Sequence, residues 1–325
     1  MRLHQLLSGG ARPAVAPLVG YPGAMLTGTS LRENLFDTSR HVESLRAIHK
    51  RWRPDVMFPM MDLAVEAGAL GLPVRFPEEE SPSVEHHPVS SSHDLEPLRE
   101  ADLLSDPRLC TFLDTVRSLA EFPDTLPGAY VVGPFTLAGL LMGASEVAVA
   151  TIRQPKLVHE LLAFATARIH QYAEACIEAG AKLIVYLEPT AVLISPQAFA
   201  SFPGPYLTEL LNTQRAHTVL HICGNTTPLL PEMCKTGVEG LSLDAAVDFA
   251  QAASLVPPSI VLIGNIDPVK TMGSRDPSIV AACVRNLQHA MSGQTNFLLS
   301  TGCDLPLETP LQNIDTFMEI GRSGN

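Results

Sequence analysis

The stretch "HTVLHICGNTTPLL", residues 217 to 230, supports two readings at once. Its β-branched run, closed by Gly224-Asn225 and a turn, predicts a short buried strand. His221 and Cys223 stand two apart at the end of that strand. Read as structure they are two soft core side chains; read as chemistry they are one arm of a metal site whose remaining ligand lies elsewhere.

Seven further runs of the same kind surround it: "PAVAPLVG" (13–20), "DVMFPMMDL" (55–63), "AYVVGP" (129–134), "KLIVYLEP" (182–189), "EGLSLD" (239–244), "IVLIGNID" (260–267) and "NFLLSTGCD" (296–304). Each leads through Gly, Pro, Asn or Asp into a helical pattern. "PKLVHELLAFATARIHQYAEACIEAG" repeats its apolar residues at three and four and ends in glycine, while "TSRHVESLRAIHKRW" (38–52) and "PSIVAACVRNLQHAM" (277–291) predict further helices. Strand alternating with helix implies a parallel sheet. Eight such units predict an α/β fold, a closed (β/α)8 TIM barrel spanning residues 1–325 as one domain, with an N-terminal extension and a polar insertion after the second strand. An open doubly wound sheet is the alternative, but neither G-x-G-x-x-G after the first strand nor G-x-x-x-x-G-K-[ST] occurs to support a nucleotide fold.

Composition narrows the function. The chain is 46% hydrophobic and only 17% charged, which raises the question of a membrane. Its longest uncharged run, "AYVVGPFTLAGLLMGAS" (129–145), is broken by Gly133-Pro134 and Gly139 and lacks basic flanks, so it reads as a buried strand running into a helix. No membrane partner is expected. "MRLHQLLSGGARPAV" has no sustained apolar core ahead of a cleavage site, and a cytoplasmic location follows. Six cysteines are too sparse for a disulfide framework and read as thiols or ligands; Cys176 and Cys283, among alanines on helical patterns, read as core. A net charge of -12 without a basic stripe excludes nucleic acid as a partner. The polar segment 77–97 reads as an exposed loop or small hairpin, with His86, His87 and His93 solvated rather than gathered on a metal. The apolar surplus permits a homodimer interface.

Barrel chemistry sits at the C-terminal ends of the strands. The residues there include Asp62, Tyr186, Glu188, His221, Cys223, Asp244, Asn265, Asp267, Cys303 and Asp304. One imidazole and two thiolates, from His221, Cys223 and Cys303, form a soft donor set suited to Zn²⁺, and three ligands leave a fourth tetrahedral position open. Structural zinc sites draw on compact hairpins, whereas these residues come from the fifth and eighth strands and meet only at a barrel mouth. A buried histidine and two buried cysteines without a metal remain the alternative.

"HICGN" followed far downstream by "STGCDLP" resembles the methylcobalamin:coenzyme M methyltransferases, a branch of the uroporphyrinogen decarboxylase superfamily. "MMDLAVEAGALG", "EPTAVLISPQAFASF" and "IGNIDP" are similar to its other blocks, so the resemblance runs from about residue 13 to the C-terminus. It implies that His221, Cys223 and Cys303 hold zinc, and that a small thiol such as coenzyme M binds there as thiolate and attacks the methyl group of a methylcobalamin-type corrinoid. It also implies a corrinoid protein as partner, because the chain has no D-x-H-x-x-G carrier signature. Glu188 and Asp62 become candidate catalytic groups, Glu188 as a displaceable fourth ligand or proton acceptor. Asp62 aligns with an aspartate that the decarboxylases use, or else bonds a neighbouring backbone N–H. Asn225 and Asp304 become candidates for bonding ligand atoms or the imidazole. Tyr186, Asn265 and Asp267 read as strand caps. Tetrahydrofolate is an alternative acceptor, and a non-catalytic corrinoid- or metal-binding barrel an alternative role. Tetrapyrrole decarboxylation is disfavoured: those enzymes resemble one another in an R-Q-A-G-R segment after the first strand, where this chain has no basic residue from Pro13 to Ser30.

Overall fold

The strands, in chain order, are β1 (Val56–Met57), β2 (Val74–Arg75), β3 (Ser83–Val84), β4 (Leu126–Val132), β5 (Leu183–Leu187), β6 (His217–Ile222), β7 (Gly240–Leu243), β8 (Val261–Ile266) and β9 (Phe297–Thr301). The computed structural model describes residues 3–8, 13–78 and 80–323. The ends of the expected domain (1–2 and 324–325), residues 9–12 of the N-terminal stretch and Glu79 of the polar insertion lie outside the described residues.

Seven strands form one parallel sheet in the order β1-β4-β5-β6-β7-β8-β9. The predicted first strand closes it. Val15 bridges Leu299 of β9 in parallel, and its carbonyl accepts the Asp55 N–H at 3.0 Å just ahead of β1. The result is a (β/α)8 barrel whose first strand is a single bridge rather than a ladder. Proline explains the difference, since Pro17 within "PAVAPLVG" has no N–H to donate. Side chains complete the seam: Leu18 N–H donates to Thr301 Oγ1 at 3.1 Å and Ser300 Oγ donates to the Ala16 carbonyl at 2.6 Å. The run 55–63 shortens to β1 for the same reason at Pro59, and the Met60 N–H beyond it goes to Nε2 of buried His41 at 2.9 Å. Burial pushes His41 down to about 3, consistent with a neutral acceptor ring.

Strand side chains alternate between two apolar environments. Leu183, Val185 and Leu187 of β5, Val219 of β6, Ile263 of β8 and Leu298 of β9 fill the barrel interior. Ile184, Tyr186, Leu220, Ile222 and Leu262 pack outward beneath the helices. Burial on both faces accounts for the nearly continuous apolar strand runs. The N-terminal extension is a helix, Leu3–Ser8, across the barrel floor: buried Leu3 joins the interior cluster and its N–H donates to Glu239 Oε2 at 2.8 Å.

The long predicted helices form at Thr38–Trp52, Pro155–Glu178 and Pro277–Ala290. The polar segment 77–97 supplies β3, which pairs antiparallel with β2 just ahead of the segment in a small hairpin, and His86, His87 and His93 are exposed beyond it. The uncharged run 129–145 crosses from β4 into the buried helix Pro134–Met142. No single helix among the described residues is long and apolar enough to span a membrane, and the next helix, Ala144–Arg153, bends away by 102°. Cys176 is fully buried, as its alanine-rich helix predicts.

Candidate metal centre

Parity places two of the three candidate ligands. Val219 faces the interior, so His221 and, one residue past β6, Cys223 face it too. Cys303 does not follow from parity, because Leu298 faces inward and an unbroken strand would turn residue 303 outward. The chain instead bends at Gly302 and Cys303. Gly302 lies so close to the next loop that an added Cβ would sit 2.5 Å from the Ala245 nitrogen, and this close approach carries Cys303 over the mouth.

The three side chains meet there. His221 Nε2 lies 3.1 Å from Cys223 Sγ and 3.8 Å from Cys303 Sγ, and the two sulfurs are 3.6 Å apart. Their donor atoms all fall within 4.8 Å of one another. A sulfur separation of this size is no disulfide; all six cysteines are free. It is close to the edge of a coordination tetrahedron: zinc bond lengths near 2.3 Å to sulfur and 2.0 Å to nitrogen put two sulfurs about 3.7 Å apart and sulfur about 3.5 Å from nitrogen. The residues therefore fit the ion that their chemistry suggests. His221 is 1% exposed and both cysteines are partly exposed, so the triangle has a closed base and an open upper side.

Ser242 orients the imidazole. β6 and β7 pair His221 directly with Ser242, and Nδ1 lies 2.9 Å from Ser242 Oγ. With Nε2 turned to the sulfurs, Nδ1–H donates to the hydroxyl, the outer contact that fixes a ligating histidine's tautomer. The sequence offers only one cue to this residue, a lone hydroxyl in the apolar strand "EGLSLD".

The protons of the cluster are coupled. Hydrogen bonding to Cys303 lowers the Cys223 thiol, while the same contact and burial raise Cys303, so one sulfur gives up its proton before the other. Burial alone would lower His221, but the hydrogen bond and charge of Cys303, together with Asp244 and the Ser242 contact, outweigh it and the imidazole is raised. A cation binding here must displace these protons.

The other predicted site residues are placed differently. Asp62 is buried and fully engaged: Arg108 Nη1 donates to Oδ2 at 2.7 Å, and the Ala64 N–H donates to Oδ1 at 2.8 Å. Arg108 Nη2 donates to the Ala64 carbonyl and its guanidinium lies 4.9 Å from the Phe76 ring. This is the backbone-bonding alternative, extended to a buried ion pair that the sequence did not disclose. Glu188 belongs to the outward parity of β5. Its Oε1 accepts N–H groups of Phe135 at 2.6 Å and Thr136 at 3.2 Å at the start of helix Pro134–Met142, away from the three ligands, and its Oε2 is buried without a partner. Burial raises this carboxyl to about 8. Gly133 makes room for it, since an added Cβ would lie 1.4 Å from Oε2. The structure therefore brings neither candidate catalytic carboxyl to the three ligands: Glu188 bonds the start of helix Pro134–Met142 and Asp62 bonds Arg108 and Ala64.

Asn225 is exposed, and its Oδ1 accepts the Thr227 N–H at 3.2 Å in the turn after β6; it does not hold the imidazole. Asp304 stays at the mouth beside Cys303. Its Oδ1 accepts the Leu305 N–H at 3.2 Å and its Oδ2 is buried without a partner. Asn265 and Asp267 act structurally, the first through Nδ2 to the Asp244 and Val247 carbonyls, the second by accepting the Val269 and Lys270 N–H groups. Tyr186 points into the outer layer and caps nothing. A third buried acid carries no signal in the sequence: Glu66 accepts the Val132 N–H at 2.8 Å and is raised by burial to about 8.

A parallel barrel with one imidazole and two thiols converging at its C-terminal mouth defines a class of metal-competent α/β-barrel proteins. Residues 16–323 match the Uroporphyrinogen decarboxylase (URO-D) family, and the chain belongs to that family. It is similar to the methylcobamide:CoM methyltransferase MtbA of Methanosarcina acetivorans, 32% identical over 271 residues that cover 81% of this chain and 78% of the relative. It is also similar to a Prochlorococcus marinus uroporphyrinogen decarboxylase, 27% identical over 84% of this chain and 81% of that one. A solved structure of a methyltransferase from Methanosarcina mazei shares the fold with a TM-score of 0.86, at 24% identity and covering 98% of this chain and 97% of that one.

Proposed function

We propose that the protein is a zinc-dependent methyltransferase that moves a methyl group between a corrinoid and a thiol, with His221, Cys223 and Cys303 as the zinc ligands. The observation that carries this reading is the triangle of donor atoms, with edges of 3.1, 3.6 and 3.8 Å, at an open barrel mouth. Similarity to the methylcobamide:CoM methyltransferases supports the choice of methyl transfer within the family.

Zinc, when bound, supplies an open Lewis-acid position that holds a thiol as its thiolate near neutral pH, where a free alkyl thiol with a pKa of roughly 8.5 is mostly protonated. The remaining work falls to the chain. Cys223 and Cys303 as thiolates offset the double charge of the ion, and neutral His221 adds none, so the acceptor sulfur keeps its electron density. Ser242 holds the ring so that Nε2 faces the sulfurs. The stacked rings of Phe58 and Tyr130, with centroids 4.5 Å apart, form an apolar wall of the barrel interior, where the cavity touching His221 also meets them. The methyl donor is a methylcobalamin-type corrinoid, presented by a corrinoid protein that docks over the C-terminal face. In this reading residues 1–325 act as one barrel unit in the cytoplasm, a reducing compartment with which six free cysteines agree.

The test is metal analysis together with methyl transfer. The purified protein is expected to hold about one zinc per chain, lost on Cys223→Ala or Cys303→Ala, and to demethylate methylcobalamin in the presence of a thiol, read from the cobalamin absorbance. Zinc-free protein that binds none on reconstitution, or zinc-loaded protein inert toward every thiol, sinks the reading.

A further inference from the structure

Resting on the methyltransferase reading above, we infer that the corrin ring of the methyl donor rests on one half of the barrel rim, made by Val192 and Leu193 after β5 and Asn225 and Thr227 after β6. Val192 and Leu193 lie in the short helical turn Pro189–Leu193 and are 37% and 53% exposed. They border the metal centre: a Cβ added to Gly224, the residue after Cys223, would lie 3.2 Å from Val192 Cγ2. β5 and β6 are neighbours in the sheet, so the turns that follow them stand side by side. The ligand triangle is open on its upper side, where Cys223 and Cys303 are partly exposed, and a methyl group reaches a sulfur held there from above. The macrocycle that carries it is far broader than the triangle and must settle on the rim.

Two observations choose this half. The first is its chemistry. Residues 189–195 and 223–229 include no lysine, arginine, aspartate or glutamate, and Val192, Leu193 and Pro228 are exposed there beside the exposed amide of Asn225. A cobalamin-type corrin presents methyl groups and primary amides along its ring edge. The apolar side chains gain by losing water against the methyl groups, and the amides meet neutral partners in Asn225 and Thr227. The second observation is that the opposite half is already taken. The Tyr21 hydroxyl, in the loop after the first strand, lies 2.6 Å from the Met61 carbonyl and 2.8 Å from Ser81 Oγ. These contacts draw the polar insertion against the loops after the first two barrel strands, and exposed Glu78 and Glu80 precede Ser81 there. A neutral ring meets hydrated carboxylates on that side and bare valine and leucine on the other.

The experiment uses free methylcobalamin as the probe, so that no carrier polypeptide takes part. Equilibrium dialysis gives its Kd for the zinc-loaded protein, and demethylation in the presence of 2-mercaptoethanol gives its KM. Both are expected to rise about tenfold in Leu193→Asp, and by a smaller factor in the uncharged pair Val192→Ala with Leu193→Ala, while zinc content stays at the wild-type level. Leu255→Asp is the control. That leucine is 44% exposed at the end of the helix after β7, on the floor side of the barrel, and its replacement is expected to leave both constants unchanged. Rim variants that bind and use methylcobalamin as the wild type does, or a control that weakens it equally, overturn the inference and leave the methyltransferase reading standing. Rim-dependent binding without any demethylation sinks that reading alone. Wild-type protein that neither binds nor demethylates methylcobalamin overturns both. If turnover proceeds while dialysis detects no binding, kcat/KM for methylcobalamin in the same variants decides.

Discussion

His221 Nδ1 and Ser242 Oγ face each other at 2.9 Å across paired positions of β6 and β7. The contact is made by strand register, so it is present whether or not a metal is bound. It sets the ring before any ligand arrives. Replacing the hydroxyl leaves Nδ1–H without an acceptor and frees the ring to turn.

Ser242→Ala is therefore expected to weaken zinc binding by about 10- to 100-fold while the far-UV circular dichroism stays unchanged. Competition against a chromophoric chelator measures it. Ser242→Thr, which keeps an acceptor oxygen, should recover part of the loss; equal affinity in the alanine variant removes the positioning role.

Removing the metal should leave the barrel folded. β6 to β9 are joined by backbone ladders, and the sheet closes at Val15 without help from the three ligands. Chelation is expected to abolish methyl transfer and lower the melting temperature by only ~2–6 °C. Loss of far-UV signal on chelation contradicts this.

Asp62 is expected to matter for stability rather than for metal. Asp62→Ala strands the Arg108 guanidinium at a site where the arginine side chain is 5% exposed, a loss of about 3–5 kcal/mol in urea unfolding. Zinc stoichiometry should not change. The paired replacement Asp62→Leu with Arg108→Met removes both charges and should restore most of the stability; if the pair variant is as weak as the single one, the ion pair is not the cause.

Stability should fall as pH rises through the neutral range. Burial raises Glu188 and Glu66 to about 8, whereas an unfolded glutamate titrates near ~4.3. Between those values the folded protein retains protons that the unfolded chain has released. The contribution is thus complete below about pH 4 and lost progressively toward pH 8. Wild-type protein is expected to lose stability between pH 5 and pH 8 by up to roughly 3 to 4 kcal/mol for each of these two groups. Glu188→Gln keeps an oxygen for the Phe135 N–H and should flatten the profile. Urea midpoints at pH 5, 6.5 and 8 compare the slopes, and identical slopes refute the assignment.

Much of the fold is legible in the residues because the signals are local. Alternation of apolar strand runs with amphipathic helices fixed the eight-unit barrel, and glycine, proline and capping residues marked boundaries such as Thr38–Trp52 to the residue. His221 and Cys223 are legible as a pair for the same reason: two residues apart on one strand, they share a face. Pro17 and Pro59 also stood in the sequence, and they explain why two of the predicted strands shrink to a bridge and a two-residue pairing.

What the sequence could not decide depends on contacts between distant segments. Cys303 has the wrong parity for the interior until the close packing of Gly302 on Ala245 bends the chain. Ser242 becomes the partner of His221 only through the register of two strands, and Asp62 is withdrawn from the mouth only by an arginine forty-six residues away. Composition and periodicity report which faces are buried, since burial is an average over many neighbours. Which carboxylate is engaged, which sulfur turns inward and which hydroxyl meets the ring are set by single contacts of a few ångströms, and tertiary packing alone makes those.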